Sequence, residues 1–352
     1  MKQQILFDNI IYSLQKSGGI SSTWALLQKA MLNDYDYDYK FIEYKNAIKN
    51  IFRNSLELQP QCIISPNSIL PVAINRYRKV KTPIIDESSI FHSSYYRSNT
   101  NKNIKSVVTV HDFIYERYTT GISKTIHCRQ KYSAINNADS IICVSQNTRK
   151  DLIHYIPGIN KSKITVIYNG VSSDFCPIDD IQRSNRLLYV GSRSKYKNFE
   201  LLIETIADTS YNLDICGTPL SQSEQKFLNK KIGANRYNVF SNIDNNSLNK
   251  IYNSALCLIY PSNYEGFGLP IIEAQQAGCP VIALNSSSIP EIIGETPLLM
   301  KFADKKSLLS TIKLLNSPSI IKEVIDSGKK NSLRFSAQSM TNAYKDIYNT
   351  LI

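Results

Sequence analysis

The sequence lacks the segments that would direct a chain into or across a membrane. No apolar run approaches the roughly 18 to 20 residues that a membrane-spanning helix needs. The first residues, MKQQILFDNI, also lack the charged, apolar and small-residue regions of a signal peptide. We therefore expect the protein to be cytoplasmic.

Paired cysteines and metal-binding clusters are also missing. The 7 cysteines stand singly, without a C-x-x-C pair or a Cys/His cluster, and we interpret them as reduced apolar side chains. A D-x-D pattern occurs at Asp34, Asp36 and Asp38, where the acids alternate with tyrosines. A strand would place these three carboxylates on one solvated face. We assign no metal site there and expect no cofactor.

Acidic side chains are scarce relative to basic ones. Lys and Arg number 41 against 29 Asp and Glu, which gives a formal charge of +12. Such a surface attracts nucleotide phosphates, anionic lipid headgroups or nucleic acid, and charge alone does not choose among them. Because no helix-turn-helix, zinc module or aromatic RNA-binding motif is recognisable, a nucleic-acid-binding protein is only a remote alternative.

Short apolar runs alternate with helical patterns along the chain. In the first half the predicted strands are ILF, CIISP, SVVTV, SIICV and ITVIY, with helices expected at 21–32, 125–137 and 146–155. After a polar stretch at 170–186 the alternation restarts with RLLYVG, LDICG, YNVF, ALCLIY and PVIAL. Alternation of this kind predicts parallel sheets with helices on both faces. The length suits two such α/β domains.

We place the domain boundaries at the polar stretch and near the C-terminus. The prediction is an N-terminal domain at 1–170, a C-terminal domain at 171–335 and a terminal helix at 336–352. That helix carries Met340, Tyr344 and Tyr348 on one apolar face. We expect it to pack back toward the N-terminal domain.

The most informative stretch is YPSNYEGFGLPIIEAQQAG, which follows the predicted strand ALCLIY. Gly266 and Gly268 would let the backbone approach a diphosphate, and the N–H groups of the helix start would donate to its oxygens. The carboxylates of Glu265 and Glu273 suit hydrogen bonds from sugar and ribose hydroxyls. An alternative remains open for each: a loop charge for Glu265 and a first-turn helix residue for Glu273.

The segment EGFGLPIIEA resembles the signature of the retaining family four glycosyltransferases, which have the GT-B fold. Four further segments match in the same order: SGGIS at 17–21, VHD at 110–112, VIYNGV at 166–171 and YVGSRSKYKNFELLI at 189–203. The resemblance is to the members that build bacterial surface polysaccharides, such as O-antigen mannosyltransferases. It implies two doubly wound Rossmann-like domains that face each other across a cleft, and transfer of a sugar without an essential metal.

The resemblance also implies roles for individual residues. Arg193 and Lys197 would neutralise the donor diphosphate, with Lys195 between them, and we assign the phosphate contact to Lys197. The alternative is a solvated basic turn. Donor contacts would come from Glu265, Glu273, the loop Gly266, Phe267, Gly268 and Leu269, and the N-terminal Gly18 and Gly19, which otherwise form a plain turn.

Two further groups concern the acceptor. His111 follows the run SVVTV, and the resemblance places it near the reacting sugar as a positioning group; a structural histidine is the alternative. The segment SSIFHSSYYR is predicted to be a loop whose residues hold an acceptor sugar or anion, or else an ordinary packed loop. Its candidate acceptor residues are His92, Tyr95, Tyr96 and Arg97.

A weak basic amphipathic pattern offers a membrane contact. Lys45, Lys49 and Arg53 recur every four residues, and the basic stretch 76–81 lies nearby in the sequence. This pattern fits peripheral docking on the anionic inner membrane, and a solvated helix face is the alternative.

The predicted reaction is hexosyl transfer from a GDP- or UDP-sugar, with mannose favoured, to a glycan or lipid-linked oligosaccharide. A non-hydrolysing nucleotide-sugar epimerase of the same architecture is the competing enzyme class. It would interconvert a free nucleotide sugar with no acceptor. We expect no nucleic-acid partner.

Overall fold

A computed structural model describes residues 3–33, 36–82 and 89–351. The chain divides into two compact units, Met1–Gly170 with Ala337–Ile352, and Val171–Ser336. Of the D-x-D residues, Asp34 lies outside the described residues, and Asp38 accepts a 2.7 Å hydrogen bond from Gln4 Nε2. Within the described ranges, no group of three or more His, Cys, Asp or Glu side chains is arranged to hold a metal ion.

The first unit is built on a parallel sheet of 7 strands in the order β3-β2-β1-β4-β5-β6-β7. Its strands are β1 (Gln3–Asp8), β2 (Tyr37–Ile42), β3 (Ile63–Ile64), β4 (Ile90–Ser93), β5 (Lys105–Val110), β6 (Ser140–Cys143) and β7 (Ile164–Val166). The α-helices are α1 (Ile10–Leu14), α2 (Gly19–Leu32), α3 (Ile51–Asn54), α4 (Val72–Asn75), α5 (Ile114–Tyr118), α6 (Gly121–Asn136) and α7 (Gln146–Tyr155).

The strand order reverses between β1 and β4, and an ion pair lies at the carboxyl ends of these two strands. Arg97 Nη1 lies 2.9 Å from Asp8 Oδ1, and both side chains are almost completely buried. Ser93 Oγ donates to the other carboxylate oxygen of Asp8 at 2.8 Å. Burial raises the pKa of Asp8, and the Arg97 charge opposes that rise. This ion pair therefore links the segment after β4 to the end of β1.

The prediction of a loop throughout SSIFHSSYYR is wrong. Ile90–Ser93 is a strand paired in parallel with β1 on one side and β5 on the other. Its local pattern contains only a short apolar stretch, so periodicity did not reveal it. Pairing on both sides decides its conformation, because a central strand satisfies its backbone groups through its neighbours.

The second unit repeats the architecture with a parallel sheet of 6 strands in the order β10-β9-β8-β11-β12-β13. Its strands are β8 (Arg186–Val190), β9 (Asn212–Cys216), β10 (Tyr237–Phe240), β11 (Cys257–Tyr260), β12 (Val281–Leu284) and β13 (Leu299–Met300). The α-helices are α8 (Phe199–Ile206), α9 (Gln222–Ile232), α10 (Asn245–Ser254), α11 (Leu269–Gln276), α12 (Ile289–Ile293), α13 (Lys305–Leu314) and α14 (Pro318–Ser332). The prediction of two doubly wound Rossmann-like domains is confirmed.

The terminal helix α15 (Ala337–Thr350) belongs to the first unit. Met340, Tyr344 and Tyr348 join the apolar core beneath β1 and α2. The Tyr348 hydroxyl lies 2.7 Å from His92 Nδ1. The chain therefore completes the core of its first domain only with its last helix.

The basic pattern at 45–53 does not form one amphipathic helix. Lys45–Lys49 is a 3-10 helix, and α3 begins after Asn50, whose backbone is extended. Arg53 is buried and lies 2.6 Å from Glu43 Oε1, so it cannot face a lipid surface. No described helix has the length and apolar character required to cross a bilayer.

Candidate active site

The strand order of the second unit reverses between β8 and β11. In doubly wound sheets, ligands bind outside the carboxyl ends of the strands at this reversal. The loop after β8 carries Arg193 and Lys197, and the loop after β11 carries Glu265 and the two glycines. The topology therefore brings the two most informative sequence segments to one edge of one sheet.

An ion pair joins these two loops. Lys197 Nζ lies 2.8 Å from Glu265 Oε1, and both side chains are largely buried. Lys197 Nζ also lies 5.6 Å from the centre of the Tyr260 ring, at the end of β11. Two charges held out of water need close partners, so the pair orients both side chains at the strand ends. A bound diphosphate would present a second anion to the same ammonium group.

Hydrogen bonds between the loop after β8 and the loop after β11 hold the backbone around Lys197. Asn198 adopts a left-handed conformation, with φ of 53°, and its amide donates to Pro261 O at 2.8 Å. The Asn263 N–H donates to Tyr196 O, also at 2.8 Å. These contacts fix the β8 loop against the β11 loop, so Lys197 is positioned before any ligand binds.

The glycine turn leads directly into α11. Gly268 precedes the helix with φ of 108°, a conformation that side chains rarely adopt, and Pro270 occupies its first turn. No described side chain caps this helix start. The turn therefore places the positive end of the helix dipole at this sheet edge, which favours a bound anion.

Two serines after β12 hold the turn in shape. Ser287 Oγ accepts from the Glu265 N–H at 2.8 Å, and Ser288 Oγ donates to the Glu265 and Phe267 carbonyls, both at 2.9 Å. Sequence reasoning missed these residues. The available signal was a run of serines directly after the buried strand PVIAL.

Glu273 lies on α11 and contacts the hydroxyl of Tyr252 on α10. That hydroxyl donates to Glu273 Oε2 at 3.0 Å. Desolvation raises the pKa of Glu273 to about 7, and the Tyr252 hydrogen bond opposes this rise. Tyr252 is a second residue that sequence reasoning missed, because its part in the site depends only on packing between two helices.

Arg193 contacts α9 and the loop that precedes it. Its Nε lies 2.6 Å from Glu224 Oε1 on α9, and Nη1 and Nη2 donate to the carbonyls of Thr218 and Pro219. The hydrogen bond from Arg193 is the largest cause that lowers the pKa of Glu224 to about 2. The structure thus brings Lys197, rather than Arg193, to Glu265. Arg193 holds the loop between β9 and α9.

In the first unit, His111 follows β5. Its backbone N–H donates to the Tyr96 hydroxyl at 3.2 Å, while its Nε2 is buried without a hydrogen-bond partner among the described residues. Desolvation is the main cause that lowers the pKa of His111 to about 4. The imidazole is therefore neutral near pH 7.

The four candidate acceptor residues have separate positions. His92 is completely buried between Tyr348 and Thr109, and burial lowers its pKa to about 3. Arg97 is buried in its pair with Asp8, and Tyr96 is buried beneath His111. In this arrangement His92, Tyr96 and Arg97 support the strand ends. Tyr95 is only partly buried, and Arg76 lies 4.7 Å from its ring centre.

Gly18 and Gly19 stand at the start of α2, which begins two residues before the predicted helix at 21–32. Gly18 is the cap residue, without a side-chain hydrogen bond, and Gly19 is the first helical residue. A Cβ added at Gly18 would lie 2.5 Å from Gln15 Oε1. The flexible Gln15 side chain could move away from such a Cβ, and the contact of Gly18 with a phosphate remains a prediction.

Comparisons with known proteins match two parts of the chain to glycosyltransferase families. Residues 178–330 match the family described as Glycosyl transferases group 1, and residues 62–175 match Glycosyltransferase Family 4. An uncharacterised 41.2 kDa protein in the cps region of Klebsiella pneumoniae is 29% identical over 312 residues, which cover 81% of this chain and 84% of that protein.

Two other similarities extend the comparison. The O-antigen chain mannosyltransferase RfbU of Salmonella typhimurium is 32% identical over 212 residues, covering 58% of this chain and 59% of that protein. The crystal structure of Anabaena HepE with UDP and glucose has a TM-score of 0.75 at 16% identity, covering 99% of both chains. At this identity the structural likeness shows the fold alone.

These matches decide between the two enzyme classes that the sequence left open. The two family matches cover residues 62–175 and 178–330 and meet at the polar stretch after β7. They favour glycosyl transfer over nucleotide-sugar epimerisation. The chain matches the model described as Glycosyltransferase Family 4 over residues 62–175, and it is a glycosyltransferase of the GT-B fold.

Proposed function

We propose that this glycosyltransferase moves a hexose, with mannose favoured, from a GDP- or UDP-sugar to a glycan or lipid-linked oligosaccharide. We further propose that the anomeric configuration is retained and that the product is an O-antigen or another surface polysaccharide. The similarity to an O-antigen chain mannosyltransferase supports the sugar and the pathway class. The HepE complex with UDP and glucose supports a nucleotide-sugar donor.

The observation that carries the proposal is the contact between Lys197 and Glu265 at the strand-order reversal of the second unit. A cation, a glycine turn and the positive end of a helix dipole meet at one sheet edge. Negative charge grows on the leaving nucleoside diphosphate as the sugar bond breaks. Positive groups fixed in advance stabilise that charge without reorganisation, which lowers the barrier.

Glu265 and Glu273 would accept hydrogen bonds from donor hydroxyls. Glu265 shares Lys197 with the diphosphate, so donor binding would complete a cluster of one cation and two anions. His111 would then position the reacting sugar through its neutral ring, because burial keeps the imidazole uncharged near pH 7. The proposal includes no essential metal ion, since Lys197 and the helix start supply the positive charge.

We also propose that the enzyme works in the cytoplasm, peripherally on the inner membrane, where a lipid-linked acceptor would be held. The excess of basic residues supports this contact.

Nucleoside diphosphate release tests the proposed function. Purified protein is incubated with GDP- and UDP-sugars, and with polyprenyl-diphosphate-linked oligosaccharide as acceptor. We expect acceptor-dependent release of GDP or UDP from one donor, with the same anomeric configuration in the product by NMR. Lys197→Met is the matched inactive variant. Failure of every donor to release a diphosphate in the presence of acceptor would refute the proposal.

A further inference from the structure

One face of the first unit exposes large apolar side chains. Among the described residues, most of the exposed large hydrophobic side chains lie in this unit, and five of them come from two neighbouring segments. Their exposure ranges from 41% for Tyr77 to 102% for Ile69, and the other three are Ile74, Ile122 and Ile126. Apolar groups clustered in water are unfavourable and indicate a partner surface.

The two segments lie side by side. Ile122 and Ile126 are one turn apart on the solvent face of α6, and Gln130 follows one turn later. The Gln130 amide donates to the carbonyl of Arg76, directly after α4. Ile74 and Tyr77 flank Arg76 in the sequence. We call this surface, formed by the exposed side chains of 69–81 and of α6, the α4–α6 face.

The charge of this face has one sign. The sequence contains no Asp or Glu in 65–82 or in 117–137. Arg78, Lys79, Lys81 and Arg129 are exposed there. Basic side chains beside exposed isoleucines are typical of surfaces that rest on anionic lipid, where the cations bind headgroups and the apolar groups enter the acyl boundary.

We infer that the α4–α6 face docks onto an anionic phospholipid bilayer. Charge complementarity identifies the partner, and the isoleucines distinguish a bilayer from a nucleic acid, whose phosphate backbone offers no apolar layer to Ile69 or Ile122. The inference rests on the proposed function in one respect: the acceptor that this docking presents is the lipid-linked one.

The face also continues toward Tyr95 and Tyr96, two of the candidate acceptor residues of the first unit. The Arg76 guanidinium carbon lies 5.0 Å from the Tyr77 ring centre and 4.7 Å from the Tyr95 ring centre. His127, on the inner side of α6, lies 5.8 Å from the same Tyr95 ring. His111 and Tyr95 both contact Tyr96. A lipid anchor held at the α4–α6 face would therefore lie along the path to His111.

Vesicle binding by the full-length protein tests the inference without requiring turnover. The probes are vesicles of phosphatidylcholine containing phosphatidylglycerol, and vesicles of phosphatidylcholine alone. We expect binding to the anionic vesicles that weakens with salt. Arg78→Gln combined with Lys79→Gln should weaken the partition coefficient by about 25-fold, at about fivefold per cation. Ile122→Ser combined with Ile126→Ser should weaken it by roughly tenfold or more.

Matched controls come from exposed residues of the second unit. Phe302→Ser with Leu333→Ser removes exposed apolar groups, and Lys230→Gln with Lys231→Gln removes exposed cations. Both controls should bind anionic vesicles as the unaltered protein does. All variants should keep the thermal midpoint and the affinity for the nucleotide-sugar donor, since none alters the candidate active site.

The outcomes separate this inference from the proposed function. Unchanged vesicle binding in both α4–α6 variants would overturn the docking surface, whatever the enzyme's activity. Loss in the cation variant with full binding in the isoleucine variant would overturn bilayer insertion and indicate a general polyanion site, which binding of duplex DNA would then identify. Normal docking without diphosphate release would leave the surface intact and refute the proposed reaction.

Discussion

Donor affinity should depend on pH through the carboxyl group of Glu273. Desolvation raises its pKa from the ordinary 4.5 to about 7. In the proposed complex, this group accepts hydrogen bonds from donor hydroxyls. The ionised carboxylate accepts through both oxygens, whereas the protonated acid carries a proton on one of them and accepts less well. The affinity for an intact nucleotide sugar should therefore rise as the pH rises through 7.

The magnitude follows from the ionised fraction. With a pKa of about 7, roughly a tenth of the carboxyl groups are ionised at about pH 6 and roughly nine tenths at about pH 8. If only the ionised form binds, the Kd falls about tenfold across this interval, which corresponds to about 1.4 kcal/mol.

The same group makes folding pH-dependent. Because its folded pKa lies above its ordinary value of 4.5, the folded chain retains a proton that the unfolded chain releases. Its contribution to stability is fully present below about pH 4.5 and is lost as the pH rises through about 7. Donor affinity and stability should therefore change in opposite directions over this window.

Isothermal titration with the intact donor across this pH range measures the effect. Glu273→Gln should remove the pH dependence, because an amide does not titrate. Tyr252→Phe should shift the midpoint above 7, because the phenol hydrogen bond lowers the pKa of Glu273. A flat profile in the unaltered protein, or the same profile in the Gln variant, would refute the reasoning.

Three substitutions test other parts of the structure. Lys197→Met should lower kcat/KM by about 100-fold or more and cost about 3 kcal/mol of unfolding free energy, because Glu265 loses its partner; steady-state kinetics unchanged from the parent would contradict its role. Arg97→Met should cost about 3–5 kcal/mol in denaturant unfolding, because Asp8 remains buried without a cation, and a loss below about 1 kcal/mol would contradict this. Gly268→Ala should cost about 1–2 kcal/mol and weaken donor binding, since its φ is 108° and a Cβ would lie 3.1 Å from Ile271 Cδ1; unaltered affinity by titration would show that the turn does not contact the donor.

The strands that sequence analysis located are those with continuous apolar runs. Strands in a parallel sheet covered on both faces bury most of their residues, so SVVTV, SIICV and ALCLIY stand out against polar helices. The two-residue strand β13 is too short to form a pattern. β4 carries His92 and Ser93, which read as a polar loop, and only its pairing with β1 and β5 makes it a strand.

Candidate site residues followed the same division. The meeting of Lys197 and Glu265 was predictable because each lies in the loop after a recognisable strand, and the carboxyl ends of parallel strands meet at one sheet edge. The partner of Arg193 was not predictable. A long guanidinium side chain reaches several neighbours, and its bond to Glu224 depends on where α9 packs.

The sequence by itself determined the repeated α/β architecture, the glycine turn before α11 and the family, because these depend on local pattern and on short motifs. The tertiary structure decided which polar groups lost water and which partners replaced it. His92 lies in the core and contacts Tyr348, and Arg97 forms a buried ion pair with Asp8. Glu273 has a pKa of about 7. The physical reason is that burial and pairing depend on segments distant in the chain, and no local pattern records them.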